Sequence, residues 1–277
     1  RASETINTRP DIMLLQREVP VDLMETFNVV EDKYNSNSLP IPLKSFFGNI
    51  TKRNNIRKKE PSLIIYDKRI NINQLRVLYN AIKYPVTYVQ GPPGTGKTQT
   101  ILNVTLSALY NDKTMLICSS NNKPVDGIVE KLQFEYRNEK INFPYLRLGN
   151  FEDVKKATLR IRELFNYTTN KTPKDELLNK IKVHADDENS RLIELLNTQE
   201  KRVDIENCLE SSEKLINSFA NHSSKIIDIV KTKIEQLKND LNDLPEITND
   251  EITSLFIPLN ENYQLSQYLF FKSLQYI

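Results

Sequence analysis

Apolar residues along this chain fall into two patterns, short unbroken runs and helical spacings, and the two alternate through its first half. Val86, Thr87, Tyr88 and Val89 predict a buried strand, and Gln99–Tyr110 carries apolar positions at the spacing of an amphipathic helix. Thr114–Cys118 predicts a second strand, followed by a polar turn and a helix starting near Pro124, a residue suited to a first helical turn. A third strand is predicted at Tyr145–Leu148, ending at Gly149-Asn150. Strands alternating with helices predict an α/β fold with parallel strands.

The second half reads differently. Residues 174–244 contain neither Gly nor Pro and are bracketed by Pro173 and Pro245, which predicts helix throughout. Ile227, Val230, Ile234, Leu237, Leu241 and Leu244 alternate spacings of three and four and form a seam that needs a partner helix. Leu178, Ile181, Ala185, Leu192 and Leu195 give a looser seam, and Asn221-His222-Ser223-Ser224 is a plausible turn between arms. We therefore expect a coiled-coil-like helical hairpin or stalk.

The chemistry concentrates between the first strand and its helix. Gly91, Gly96, Lys97 and Thr98 stand at the spacing GxxxxGK[ST], and half of the six glycines of the chain, Gly91, Gly94 and Gly96, lie in this loop. Small residues let backbone N–H groups turn inward around a phosphate chain, and a helix N-terminus favours the anion. The expected cradle is Gly91, Pro92, Pro93, Gly94, Thr95, Gly96, Lys97, Thr98 and Gln99. Lys97 neutralises β/γ-phosphate charge and Thr98 holds Mg²⁺ through its hydroxyl, so these two are the catalytic candidates. Hydrolysis also needs an acidic strand end. Asp175-Glu176, Asp187-Glu188 and Asp250-Glu251 do not follow apolar strands and read as helix starts or solvated helix faces.

Charge and composition add little. The 38 basic residues nearly balance the 36 acidic ones. Lys44, Lys52, Arg53, Arg57, Lys58, Lys59, Lys68 and Arg69 outnumber Glu60 and Asp67 in one stretch, which could meet nucleic-acid phosphates or be a solvated loop. Cys118 and Cys208 suggest neither a metal site nor a disulfide framework, and His184 and His222 read as surface histidines. No membrane span or signal peptide is visible, so a soluble, cytoplasmic protein is expected. The first 60 residues mix short apolar runs with Pro, Asn and Ser and predict irregular structure or a small accessory fold.

Gln74 within ININQLRVLYNAI, then QGPPGTGKTQT, then LICSSNNKPVDGIVEKL resemble the Q motif, motif I and motif Ia of superfamily 1 helicases, the nonsense-decay-factor-like subgroup above all. The resemblance covers roughly residues 62 to 150. It implies a RecA-like motor domain, ATP and Mg²⁺ as cofactors, and an adenine contact from Gln74. It also implies a single strand of DNA or RNA gripped by Ser120, Asn121, Asn122 and Lys123, with 5′-to-3′ travel. Motif Ia commonly reads APSNVAVD; here SSNNKPVD keeps Asn122 and Asp126, while Asn121 stands for the serine. The later motifs of the family cannot be placed. Together with Arg1 at the start and the apolar ending QYLFFKSLQYI, this leads us to expect a piece of a longer helicase, inactive in hydrolysis alone, that docks on the remaining motor-domain segments.

The expected organisation is an accessory segment at 1–60, a partial RecA-like ATP-binding domain at 61–172, the helical insertion at 173–245, open to a protein partner, and a return segment at 246–277. Two other readings compete. GPPGTGKT also occurs in AAA-type remodelling ATPases, against which Gln74 and SSNNKPVD argue. The long helical region would alternatively suit a non-enzymatic coiled-coil interaction module that keeps a nucleotide-binding fold.

Overall fold

A computed structural model describes residues 23–47, 60–136, 138–149, 151–169, 175–218 and 224–274. They fall into two compact units, one within residues 1–52 and one within 53–277. In the first, α1 (Met24–Asn35) and α2 (Ile41–Phe46) are joined through Asn37, whose φ of 52° is a left-handed conformation that Asn tolerates. Most of the expected basic run, Lys52, Arg53, Arg57, Lys58 and Lys59, lies outside the described residues.

The second unit is mostly helical: α3 (Ile72–Lys83), α4 (Lys97–Tyr110), α5 (Asn122–Lys131), α6 (Phe151–Thr169), α7 (Asp175–Ser218), α8 (Ser224–Asn242), α9 (Asn249–Ser254) and α10 (Tyr263–Leu274). Between α5 and α6 lies an antiparallel pair, β1 (Gln133–Tyr136) and β2 (Glu139–Asn142), in register Phe134 to Ile141. These are the paired strands among the described residues. The parallel ladder expected from residues 86–89, 114–118 and 145–148 is not formed among them, and Val86, Tyr88, Val89, Leu116, Leu146 and Leu148 are exposed. A strand exists only as half of a pair, so an apolar run without a neighbour keeps its bare edges.

Residues 61–66 (PSLIIY) show how this unit holds an apolar run without a sheet. Side chains of α4 and of its C-cap Asn111 bond to the backbone of every second residue. Asn111 accepts from the Ser62 N–H at 3.0 Å and Ser107 from the Ile64 N–H at 2.7 Å, while Asn103 accepts from the Tyr66 N–H at 2.9 Å. Four residues of helix rise about 6.0 Å and two residues of extended chain about 6.6 Å, so a helical stripe spaced by four can follow a strand-like segment running the opposite way. On the other side α7 supplies Asn189, which accepts from the Leu63 N–H at 2.5 Å and donates to the Pro61 carbonyl at 3.1 Å. The segment separates two cores. Ile64 packs with Leu102, Leu106 and Phe270, whereas Leu63 and Ile65 pack with Leu75, Leu78 and Leu192.

The long helical region divides between two tasks. Ile181 and Leu192 of α7 are buried in these two cores, with Ala185 and Leu195 packed half-buried against them, so the first half of α7 is a core helix, while Leu178 is half-buried outside both cores. Beyond it α8 packs antiparallel to α7: Arg202 donates to the Leu244 carbonyl at 2.8 Å, and Lys238 lies 3.8 Å from Glu213. Ile234 and Leu237 are buried along the expected seam. Of the turn expected at Asn221–Ser224, all but Ser224, the first residue of α8, lies outside the described residues. Within the apolar ending, Leu269 and Phe270 of α10 are fully buried in this chain's own core, against Ile64, Leu102 and Leu106, and not on segments outside it.

Candidate nucleotide and nucleic-acid site

The loop 91–96 leads straight into α4, and Gly96 is its N-cap with φ 78° and ψ 22°. A side chain at Gly96 is strained by the left-handed conformation, and its Cβ, 2.5 Å from Gln74 Nε2, would push the Gln74 amide off its contact with the loop. Gly94, φ 87°, also requires glycine for its backbone, and a Cβ there would meet nothing within 4 Å, so space is open above the loop. Thr95 Oγ1 donates to the Pro92 carbonyl at 2.9 Å and staples the turn. Lys97 curls back, its ammonium donating to the carbonyls of Gly91 and Pro92, both at 2.7 Å. Pro92, Pro93, Gly94, Thr95 and Lys97 are exposed, and Thr98 and Gln99 half-buried. Among the described residues the Thr98 hydroxyl has no hydrogen-bond partner. The open space, a cation on a flexible stem and a spare hydroxyl fit a polyphosphate with Mg²⁺.

Gln74 reaches this loop from α3. Asn71 caps that helix by accepting from the Gln74 N–H at 3.0 Å, and Gln74 Oε1 returns the bond, accepting from the Asn71 N–H at 3.1 Å. Gln74 Nε2 donates to the Thr95 carbonyl at 3.0 Å. An amide has two N–H donors and two lone pairs, so one of each stays available to a base. Helix capping and loop contact thus fix the side chain that the sequence singles out.

The polar loop 119–123 opens α5. Ser119 Oγ accepts from the Asn121 N–H at 3.2 Å. Asn121 is the N-cap of α5, yet its side chain makes no capping bond, and Ser120, Asn121, Asn122 and Lys123 are all exposed. Ordinary capping therefore does not account for these side chains. From the other end of α5, Lys131 Nζ donates to Gln99 Oε1 at 3.5 Å, a direct link to the start of α4.

One residue of this neighbourhood escaped the sequence. Arg147, in the run FPYLRLGN, donates through Nε to Asp126 Oδ1 and through Nη2 to Asn122 Oδ1, each at 2.9 Å, and through Nη1 to the Leu148 carbonyl. A cation between leucines signals an inward partner, but its partners lie 21 and 25 residues away. The basic run contributes less: Lys68 pairs with Glu261 at 3.0 Å and Arg69 with buried Asp67 at 2.6 Å, so their charge is already balanced.

The acidic pairs lie where helices account for them. Glu251 completes the capping box of α9 by accepting from the Thr248 N–H at 2.8 Å, and these bonds from Thr248 hold its pKa below the usual carboxylate value. Asp187 faces Arg191 and Glu188 faces His184, each at 3.4 Å, along α7. Burial pushes the Glu188 carboxyl up, with His184 opposing. Glu176 is exposed in the first turn of α7.

A glycine loop turned in the left-handed region at the head of a helix, with its lysine and threonine, defines a P-loop protein. The family model described as an AAA domain matches residues 69–261. The chain belongs to that family, and within it to the superfamily 1 helicases of the nonsense-decay-factor-like group. It is 30% identical to the DNA polymerase alpha-associated DNA helicase A of Schizosaccharomyces pombe over 31% of this chain and 12% of that protein. It is 34% identical to the ATP-dependent helicase NAM7 of Saccharomyces cerevisiae over 24% of this chain and 7% of that protein. With the DNA-binding protein SMUBP-2 of Mus musculus the identity is 33%, over 26% and 7%. The chain thus matches about an eighth of these relatives' length or less. No solved structure matches it. Among the described residues no helix is long and apolar enough to cross a membrane.

Proposed function

We propose that this chain is the ATP-binding part of the first motor domain of a helicase or translocase that moves 5′ to 3′ along single-stranded DNA or RNA. The observation that carries the reading is the Gln74 amide held 3.0 Å from the Thr95 carbonyl of the glycine loop across 21 residues of sequence, which supports a base-reading role for Gln74 beside a phosphate cradle. In this reading Lys97 leaves the Gly91 and Pro92 carbonyls for the β/γ-phosphates, and the N–H groups from Gly94 to Gln99 line the chain. Thr98 would hold Mg²⁺, which when bound neutralises polyphosphate charge. Gln74 offers its free N–H and lone pair to adenine, and Ser120, Asn121, Asn122 and Lys123 grip the sugar-phosphate backbone. In this reading the carboxylate that hydrolysis needs comes from motor segments of the full-length protein, since Asp187, Glu188 and Glu251 are engaged along their own helices. The relatives named as helicases favour this reading over a remodelling ATPase.

The test is ATP turnover by the full-length protein with and without single-stranded DNA or RNA. The expected result is strand-stimulated hydrolysis, lost in Lys97→Ala, with Gln74→Ala weakening ATP more than tripolyphosphate. Nucleotide affinity unaltered by Lys97→Ala overturns the phosphate assignment, and equal losses for both ligands overturn the adenine role of Gln74.

A further inference from the structure

The geometry points to Arg147 as the positioning residue of the 119–123 loop, orienting the Asn122 amide so that its NH₂ is the group offered to a phosphate of single-stranded nucleic acid. A guanidinium has donors only, so the Asn122 atom that faces Nη2 at 2.9 Å must be the carbonyl oxygen. That fixes the amide. Its remaining end is the Nδ2 donor, for which the described residues hold no partner, on an exposed side chain. A donor so presented suits an anionic acceptor such as a phosphodiester oxygen.

Arg147 itself is poorly placed to be the phosphate ligand. Its side chain is only 19% exposed, its Nε is paired with Asp126, and its other two nitrogens are each held by a bond, to Asn122 and to the Leu148 carbonyl. Gly149 makes room for this arrangement, since a Cβ there would stand 3.2 Å from Nη1. Asp126 and Asn122 lie one turn apart on α5, and the planar fork spans both at once. Lysine, a point charge on a flexible stem, cannot hold the same two acceptors in fixed directions. Arg147 therefore acts through Asn122. The inference rests on the proposed nucleic-acid role of this loop.

The experiment is equilibrium binding of the full-length protein to labelled oligothymidylate and oligouridylate over a range of salt, for Asn122→Ala, Arg147→Lys and the double variant, with thermal melting alongside. Asn122→Ala and Arg147→Lys are each expected to weaken binding about tenfold, the scale of one charge-assisted hydrogen bond. The double variant should be no weaker than Asn122→Ala, because both changes remove one contact. The slope of affinity against salt should hold in Arg147→Lys, since no cation is withdrawn from a phosphate. Additive losses, or Arg147→Lys binding as wild type while Asn122→Ala weakens, overturn the positioning role alone. A slope shallower by about 0.7 in Arg147→Gln also overturns it, by making Arg147 a phosphate ligand in its own right. Wild-type binding by Asn122→Ala removes the nucleic-acid reading itself. Should Arg147→Lys melt early, Asp126→Asn, which loosens the same guanidinium, decides: a smaller loss that vanishes in the Asn122→Ala background supports the role, and an undiminished one overturns it.

Discussion

Residues 61–66 and 86–90 carry the same kind of apolar run and meet opposite fates. Leu63, Ile64 and Ile65 are 5%, 3% and 3% exposed, and side chains of α4 and α7 serve their backbone. Val86, Tyr88 and Val89 are 43%, 84% and 44% exposed and stand beside no strand among the described residues. The difference lies in their neighbours. Asn103 and Ser107 of α4 and its C-cap Asn111 recur every fourth residue and meet every second residue of the first segment, whereas the second has no such stripe facing it among the described residues. The phosphate loop grows out of the less supported of the two.

The largest expected effect comes from truncating one residue in each segment. Ile64→Ala removes a fully packed side chain between α4 and α10 and should cost about 3 kcal/mol of unfolding free energy, while Val89→Ala should stay within about 0.5 kcal/mol. Urea unfolding of the two variants measures both. Equal costs would mean that residues 86–90 are packed after all and would dissolve the contrast.

The two segments also show where the sequence speaks and where it falls silent. Helix bonds join residues four apart, so α4, α5, α7 and α8 are legible in spacing, in Pro124 and in the Gly/Pro-free run. The glycine loop is legible for the same reason, since Gly91, Gly96, Lys97 and Thr98 stand side by side in the chain. Strand pairing is a property of two segments, and nothing in LIIY states that Asn103, Ser107 and Asn111 will take the place of a ladder. The α7 seam was legible as apolar but not by destination: Ile181 and Leu192 face the two cores and not α8. The β1–β2 hairpin and α6 were missed. So was Arg147, because its role needs Asn122 and Asp126 brought from another element.

A second comparison turns on polar atoms. Asn189→Ala would strip buried partners from the Leu63 N–H and the Pro61 carbonyl and should cost about 2 kcal/mol, the scale of an unsatisfied buried group. In the other segment Thr87 Oγ1 is buried with no partner among the described residues. Thr87→Val should therefore be neutral or stabilise by up to about 1 kcal/mol, by removing an unpaired hydroxyl. Asn189→Ala is expected to lower the denaturation midpoint, and Thr87→Val to leave it in place or raise it. A destabilising Thr87→Val would show that its hydroxyl is satisfied and that this segment has polar support as well.

The smallest effect reaches residues 61–66 through α7. Tyr110, at the end of α4, donates to Asp186 Oδ1 at 3.0 Å, and the same oxygen accepts from Ser62 Oγ at 3.0 Å. Burial first, then the Asp186 charge and this hydrogen bond, push the Tyr110 phenol well above its usual range. At neutral pH Tyr110→Phe loses one hydrogen bond and should cost about 1 kcal/mol. As pH rises past about 10, the unfolded phenol ionises while the folded one stays protonated, so the folded state binds more protons and stability falls with pH. Phenylalanine cannot titrate. The gap between wild type and Tyr110→Phe, followed by denaturant unfolding from neutral pH upward, should narrow above that point. The alkaline loss should become shallower without vanishing, because burial also raises Tyr66, Tyr79 and Tyr268. A gap that stayed constant with pH would mean that Tyr110 reaches solvent in the folded protein, and that α7 holds residues 61–66 through Asn189 and through the bond of Asp186 to Ser62 without its help.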